Sequence, residues 1–265
     1  MVGAELLQTG QLSEAIERVA GEVKAKPGDP AARTFYFELL SLNGDLDRAA
    51  KQLDALAGTM GELGSGTHLY LGAIEAEKER RRFFHGGPRP RLLGEVSYAQ
   101  VYLQAVEHFA AGSSEAAASL LETAAEEERP LRGKLNGADI QELNDSHDLL
   151  APFLEVVMES HYAWVPWTAI QSLEIPLPKY LRDTIWTPAS LTLHSGDHGE
   201  VLVFSLYVDS HQQPDDIKLG RRTVWDTNPA GFTVAYGQKV IAAGDRDCPI
   251  LELRTLEVEA CRLAA

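Results

Sequence analysis

Cysteine is scarce in this chain, with two among 265 residues, Cys248 and Cys261. Both fall near the C-terminus, in a predicted strand and the tail beyond it, and no metal-ligand spacing includes them. A disulfide framework is excluded, and the reduced thiols of a cytosolic protein are expected. No run of about 18 apolar residues occurs, which excludes a membrane-spanning helix. The N-terminus, Met1-Val2-Gly3-Ala4-Glu5, has no basic segment, and polar residues from Gln8 to Glu14 interrupt any apolar stretch, so no secretory leader is expected and the location predicted is cytoplasmic. Positive charge is also deficient: the net charge is −15, divided as −11 over residues 1–160 and −4 over 161–265. An acidic surface repels phosphate backbones and anionic lipid, which disfavours nucleic acid or membrane as a partner and leaves a basic or amphipathic protein segment open.

Catalytic signatures are absent as well. There is no Gly-x-Ser-x-Gly, phosphate loop, dinucleotide fingerprint or His-Glu-x-x-His. The nearest approach to a metal-ligand set is His194, Asp197, His198 and His211, but the first three lie in a Gly-rich segment that reads as a solvated hairpin turn. Asp145-x-His147-Asp148 has the elements of a polarised histidine, yet Asn144-Asp145-Ser146 ahead of an apolar run has the composition of a helix cap. No catalytic residue, cofactor or metal is assigned, and the chain is expected not to be an enzyme.

What is present is a change of pattern near the middle. Upstream, apolar residues recur at helical spacing among Ala, Leu and Glu; downstream they alternate in short runs rich in Val, Ile, Thr and aromatics. The pattern predicts an α+β protein with helical hairpins over residues 1–160 and a small antiparallel β-sheet or partial barrel over 161–265. In the first part Gly10-Gln11-Leu12-Ser13-Glu14-Ala15 recurs as Gly44-Asp45-Leu46-Asp47-Arg48-Ala49 and more weakly as Gly112-Ser113-Ser114-Glu115-Ala116-Ala117. The 34-residue period is that of tetratricopeptide repeats, in which Gly ends a first helix and a small Ala admits the second. Asp29 is the expected N-cap of the following helix, with Pro30 at its first position.

Stacked hairpins leave a concave face that receives peptides or single helices. The repeat register turns Thr34, Glu38, Ser41 and Leu42 toward that face, with Tyr102 and Phe109 available as apolar anchors; the alternatives are that the hairpins serve only as a wall for the β part and that the stripe Tyr98, Tyr102, Ala105 and Phe109 is core. These six residues are the expected partner surface, placed within residues 1 to about 135, for an amphipathic helix whose polar face is basic or neutral. The only basic cluster, Lys78 to Arg91, is offset by Glu75, Glu77 and Glu79 and reads as a solvated helix end followed by a Gly-Pro stop, with a phosphate or acidic-peptide site as the alternative. Residues Leu149 to Met158 read as a buried helix delivering the chain to the β part.

The tryptophans Trp164, Trp167, Trp186 and Trp225, beside Pro166 and Pro188, are expected to pack the sheet against the helices. Together with His161-Tyr162-Ala163, Leu181-Arg182-Asp183-Thr184-Ile185, Leu219-Gly220-Arg221-Arg222-Thr223-Val224, Tyr236-Gly237-Gln238-Lys239 and Pro249-Ile250-Leu251-Glu252-Leu253-Arg254, they make a string that resembles the ImpE/TagJ family, accessory proteins of bacterial type VI secretion systems. The match is one of fold identity and assigns structural roles to Trp164, Pro166, Trp167, Leu181, Arg182, Asp183, Trp186, Pro188, Arg221 and Trp225. The resemblance implies a non-enzymatic component that engages a helix of the small contractile-sheath subunit and influences how the disassembly ATPase handles the sheath. The competing reading is a small-molecule or metal-dependent enzyme with a site at the seam of the two halves, built from His161, Tyr162, Arg182 and Asp183. A deep polar cleft would favour that reading and an open apolar groove the first.

Overall fold

The computed structural model describes residues 2–60, 65–127 and 131–260. Seven helices precede most of the strands: α1 Val2–Gln8, α2 Leu12–Ala25, α3 Pro30–Leu42, α4 Leu46–Met60, α5 Ser65–Phe84, α6 Ala99–Ala110 and α7 Ser114–Glu127. The repeated Gly-to-Ala signature marks three helical turns. Gly10, Gly44 and Gly112 all adopt positive φ, at +85°, +80° and +77°, where a side chain would be strained. Each is followed five residues on by an alanine, Ala15, Ala49 or Ala117, that is 0% exposed in the packed hairpin. Asp29 caps α3 as expected, its Oδ1 accepting from the Ala31 and Ala32 amides at 3.0 and 3.2 Å.

Strands begin upstream of residue 161. After β1 (Arg91–Leu92), which lies between α5 and α6, come β2 Gly133–Leu135, β3 Ala138–Ile140, β4 Asn144–Asp145, β5 Phe153–Met158, β6 His161–Pro166, β7 Ile170–Glu174, β8 Trp186–Leu193 and β9 His198–Phe204. The short helix α8 (Asp215–Lys218) then precedes β10 Val224–Thr227, β11 Thr233–Tyr236, β12 Val240–Ala243, β13 Arg246–Pro249 and β14 Thr255–Val258. The main sheet has nine strands in the order β1-β6-β5-β9-β8-β7-β14-β2-β3, larger than expected, and is antiparallel except for the β1·β6 pair. The strands β13-β12-β4 form a second sheet and β10-β11 a hairpin.

The predicted helix over Leu149–Met158 is a correction. Asp148–Leu150 is a single 3₁₀ turn, and Phe153–Met158 is the central strand β5. A strand covered on both faces is apolar throughout and loses the period-2 signature that separates it from a buried helix. Here Phe153 and Val157 join a core shared with the helices, whereas Leu154 and Val156 join a second core on the opposite face. β6 and β9 divide in the same way: Tyr162, Trp164, Leu202 and Phe204 face the helices, and Ala163, Val165, Val201 and Val203 face away. The helices therefore cover one face of the sheet, and the sheet itself fills their concave side.

Of the tryptophans, Trp164, Trp167 and Trp186 are buried, while Trp225 on β10 is 47% exposed. Phe153 stacks on Trp164 with ring centroids 4.7 Å apart, and Phe83 of α5 meets Trp164 edge-on at 5.6 Å. Trp164 and Trp186 lie in the core shared with the helices, whereas Trp167 lies in the second core on the opposite face and Trp225 in neither, which corrects the expectation that all four pack the sheet against the helices. Arg221 serves a different structural role, donating to the Leu7 and Gln8 carbonyls and so closing the end of α1.

Candidate functional site

The six residues expected to form one concave surface lie in three places. Tyr102 is buried, its ring 5.5 Å from Phe153 of the sheet, and Phe109 packs edge-on against Phe232 at 5.5 Å. Ser41 and Leu42 are buried and border a small cavity of about 30 Å³ shared with Arg80, Trp186 and His211. Only Thr34 and Glu38 line an open groove, of about 380 Å³, between α3 and the 3₁₀ turn Leu181–Thr184. The chain's own β part packs against the other four, at Phe153, Phe232, Trp186 and Phe204.

That groove is built from both halves. α3 contributes Pro30, Ala31, Thr34 and Phe35, and the turn contributes Tyr180, Leu181 and Arg182. The turn is fixed by Asp183, whose Oδ2 accepts from the Lys179 and Tyr180 amides at 2.8 and 3.0 Å. Arg182 is thereby directed at Glu38, Nη1 to Oε1 at 2.7 Å, with its guanidinium 4.0 Å from the Tyr180 ring centroid and 5.1 Å from that of Tyr70. Burial raises the Glu38 pKa, and Arg182 opposes the rise. Because the Glu38 charge is matched within the protein, the groove offers apolar contact more than acidity. Its outer lip is Tyr180, 57% exposed, preceded by Leu177, 69% exposed.

Between α5 and the sheet lies a charge network that sequence reasoning missed. Arg80, read as part of a solvated helix end, is 2% exposed. It points from α5 into the sheet, where Nε and Nη2 each donate to Glu155 of β5 at 2.9 Å, Nη1 to Glu77 at 3.1 Å, and Nη2 also to the Leu206 carbonyl at 2.9 Å. Lys239 completes the set, 2.8 Å from Glu155 and 2.6 Å from Asp145. The Tyr162 hydroxyl donates to Glu155 and accepts from the Trp164 indole. Burial alone would raise the Glu155 pKa, but Arg80 and Lys239 hold it down at about 2. His147 is kept neutral, its pKa lowered to about 3 by burial first and then by Lys239. The signal in the sequence was a single Glu inside the apolar run Phe153-Leu154-Glu155-Val156-Val157, a position where an ion is tolerated only with a partner.

The groups of the enzyme reading are committed to separate neighbours. His161 Nδ1 meets Glu79 at 3.0 Å, Tyr162 serves Glu155, Arg182 serves Glu38, and Asp183 holds the turn. His194, Asp197 and His198 border an open groove at the β8–β9 hairpin, while His211 borders the 30 Å³ cavity. Among the described residues no cluster of three or more His, Cys, Asp or Glu side chains is placed to hold a metal ion. No helix among them is long and apolar enough to cross a membrane. Cys248 is a free, buried thiol, and Cys261 lies outside the described residues.

A profile of the ImpE protein matches residues 137–257, the strand-bearing part that carries the groove's Tyr180–Arg182 lip. Over 98% of the chain, 33% of residues are identical to the type VI secretion system accessory component TagJ of Pseudomonas aeruginosa, 92% of which is covered. The chain belongs to the ImpE/TagJ family. A crystal structure of a Vibrio parahaemolyticus protein, 26% identical, superposes with a TM-score of 0.91 over 98% of both chains, so this ImpE-type fold is shared end to end.

Proposed function

We propose that this protein is a cytoplasmic, non-catalytic accessory component of a bacterial type VI secretion system. In this reading it docks a helix of the small contractile-sheath subunit in the groove between α3 and the Leu181–Thr184 turn, and so influences how the disassembly ATPase handles the sheath. Kinship with TagJ of Pseudomonas aeruginosa supports the secretion role. The observation that supports the docking mode is the groove itself: an open apolar channel, about 380 Å³, walled by a tetratricopeptide-like hairpin on one side and by an ordered turn on the other. An amphipathic helix lays one apolar stripe into such a channel, its affinity coming from a few anchors. The basic polar face expected from Glu38 is not required, since Arg182 already matches that charge.

The test is calorimetric titration of the full chain with a synthetic helix from the small sheath subunit. Ala31 is exposed on the groove wall, so Ala31→Arg fills the channel without entering the core. Tyr180→Ala removes the lip. Each should weaken binding at least about tenfold, equivalent to about 1.4 kcal/mol, with unchanged thermal unfolding. Wild-type affinity in both variants would remove the helix from this groove.

A further inference from the structure

On the face of the sheet turned away from the helices, the second core is open at one end. The opening is a groove of about 830 Å³, larger than the α3 groove, between the β8–β9 hairpin, the β5–β6 turn and the segment following β1. Its floor is apolar: Leu92, Leu93, Met158, Leu191, Leu193 and Val201. Leu191 and Val201 are buried members of the second core, and Leu93, Met158 and Leu193 are half-buried against it, so the floor continues the core out to the surface.

The rim has a definite sign. Glu95, Glu159, Asp197 and Glu200 stand around the opening, all exposed. Arg91 reaches only Glu159, at 3.6 Å, and the remaining basic side chains at the rim are His194 and His198. Asp197 and Glu200 are met by the Ser195 and Ser190 hydroxyls, at 2.8 and 2.6 Å, which leaves their charges in place. An apolar floor within an acidic rim is complementary to a segment with apolar side chains on one face and Lys or Arg flanking them. The same rim disfavours phosphate-bearing ligands and acidic peptides.

We infer that this groove is a second docking surface, which takes a basic amphipathic segment of another protein. It is independent of the α3 groove, since the helices and the sheet lie between the helical concavity and this face, and it rests on different residues. Apolar side chains of the segment seat on Leu93, Met158 and Leu193, while its cations reach Glu95, Asp197 and Glu200. The rim charges speed encounter and make binding salt-dependent; the floor sets residence time.

The experiment uses the full chain and two fluorescein-labelled helical peptides of equal length, one of Leu and Lys, the other of Leu and Glu, read by anisotropy. The Leu-Lys peptide should bind and the Leu-Glu peptide should not. The triple variant Glu95→Lys, Asp197→Lys, Glu200→Lys changes only exposed side chains and should weaken the Leu-Lys peptide by at least tenfold at low salt. The floor variant Leu193→Arg should weaken it comparably. A control with the same change of net charge, Glu5→Lys, Glu14→Lys, Glu17→Lys on the first two helices, should bind nearly as wild type, as should Ala31→Arg. Equal loss in the α1/α2 control would mean attraction to overall charge and would overturn the inference. Loss in Ala31→Arg would place the peptide in the α3 groove and overturn it while leaving the sheath-helix proposal standing. If sedimentation showed a wild-type dimer that Leu193→Arg dissociates, the occupant would be a second copy of the chain and the inference would fall.

Discussion

Arg80 is the residue whose removal tests the seam most directly. In Arg80→Met, four hydrogen bonds disappear, two to Glu155 at 2.9 Å and one each to Glu77 and the Leu206 carbonyl, together with the cation's position 4.6 Å from the Phe204 ring centroid. Glu77 keeps Arg81, and Glu155 keeps Lys239 and the Tyr162 hydroxyl. Lys239, however, also serves Asp145. Two carboxylates then share one ammonium at a site where Glu155 is 0% exposed. Breaking a buried pair from one side costs on the order of 3–5 kcal/mol, a large share of the roughly 5–15 kcal/mol by which a protein is stable. Glu155→Gln in the same background removes the surplus charge, so the double variant should be at least about 2 kcal/mol less destabilised than the sum of the single ones. Urea unfolding would be followed by tryptophan fluorescence, which reports only residues beyond 161, and by far-ultraviolet circular dichroism, dominated by the helices. The two transitions should coincide and shift together. An Arg80→Met variant within about 1 kcal/mol of wild type, or an additive double variant, would refute the network as a joint between the halves.

Three further outcomes are expected. Trp164→Ala and Trp186→Ala should each cost about 3–5 kcal/mol by calorimetric melting, as for other fully buried large aromatics, whereas Trp225→Ala should change stability by less than about 1 kcal/mol. Stability should fall on mild acidification: His147 has a folded pKa of about 3 against 6.5 for an exposed imidazole, so only the unfolded chain takes up the proton between those values. From pH 7.5 to 5.5 this group alone removes about 1.4 kcal/mol; Glu155, held at about 2 against 4.5, adds its loss only below pH 4.5. His147→Phe keeps the ring contacts with Phe84 and Tyr207 and should abolish the His147 share, measured as urea midpoints at the two pH values. Asp29→Ala should cost about 1 kcal/mol by loss of the α3 cap, read from the same urea curves.

Features governed by a few neighbouring residues were legible in the sequence: the Asp29 cap, the Gly10, Gly44 and Gly112 turns with their buried alanines, and the passage from helix to strand. The burial of Trp164, Trp167 and Trp186 was legible too, because large aromatics have few alternatives; the face each takes was not, and Trp167 packs on the side away from the helices. β5 was not, since a strand buried on both faces has no alternation to read. Arg80 and Lys239 were not, because their partner Glu155 lies 75 residues from the first and local charge counting assigned Arg80 to solvent. Thr34 and Glu38 were placed at a groove, while Ser41, Leu42, Tyr102 and Phe109 were not, for one reason. Helical periodicity tells which face of a hairpin turns inward; it does not tell whether the inside is empty.

The Arg80 joint also sets a timetable for synthesis. Arg80 and Glu77 are made first, Glu155 75 residues after Arg80, and Lys239 later still, near the end of the chain. At about 5–20 residues per second, Glu155 follows Arg80 by roughly 4–15 seconds and Lys239 by roughly twice that. Until β5 and β6 emerge, the faces of α5 and α6 that they cover have no sheet against them, and Phe83 and Tyr102 stand open to other nascent chains. The helical half therefore reaches the cell before the surface that completes it, and in that interval its folding depends on whatever shields those rings.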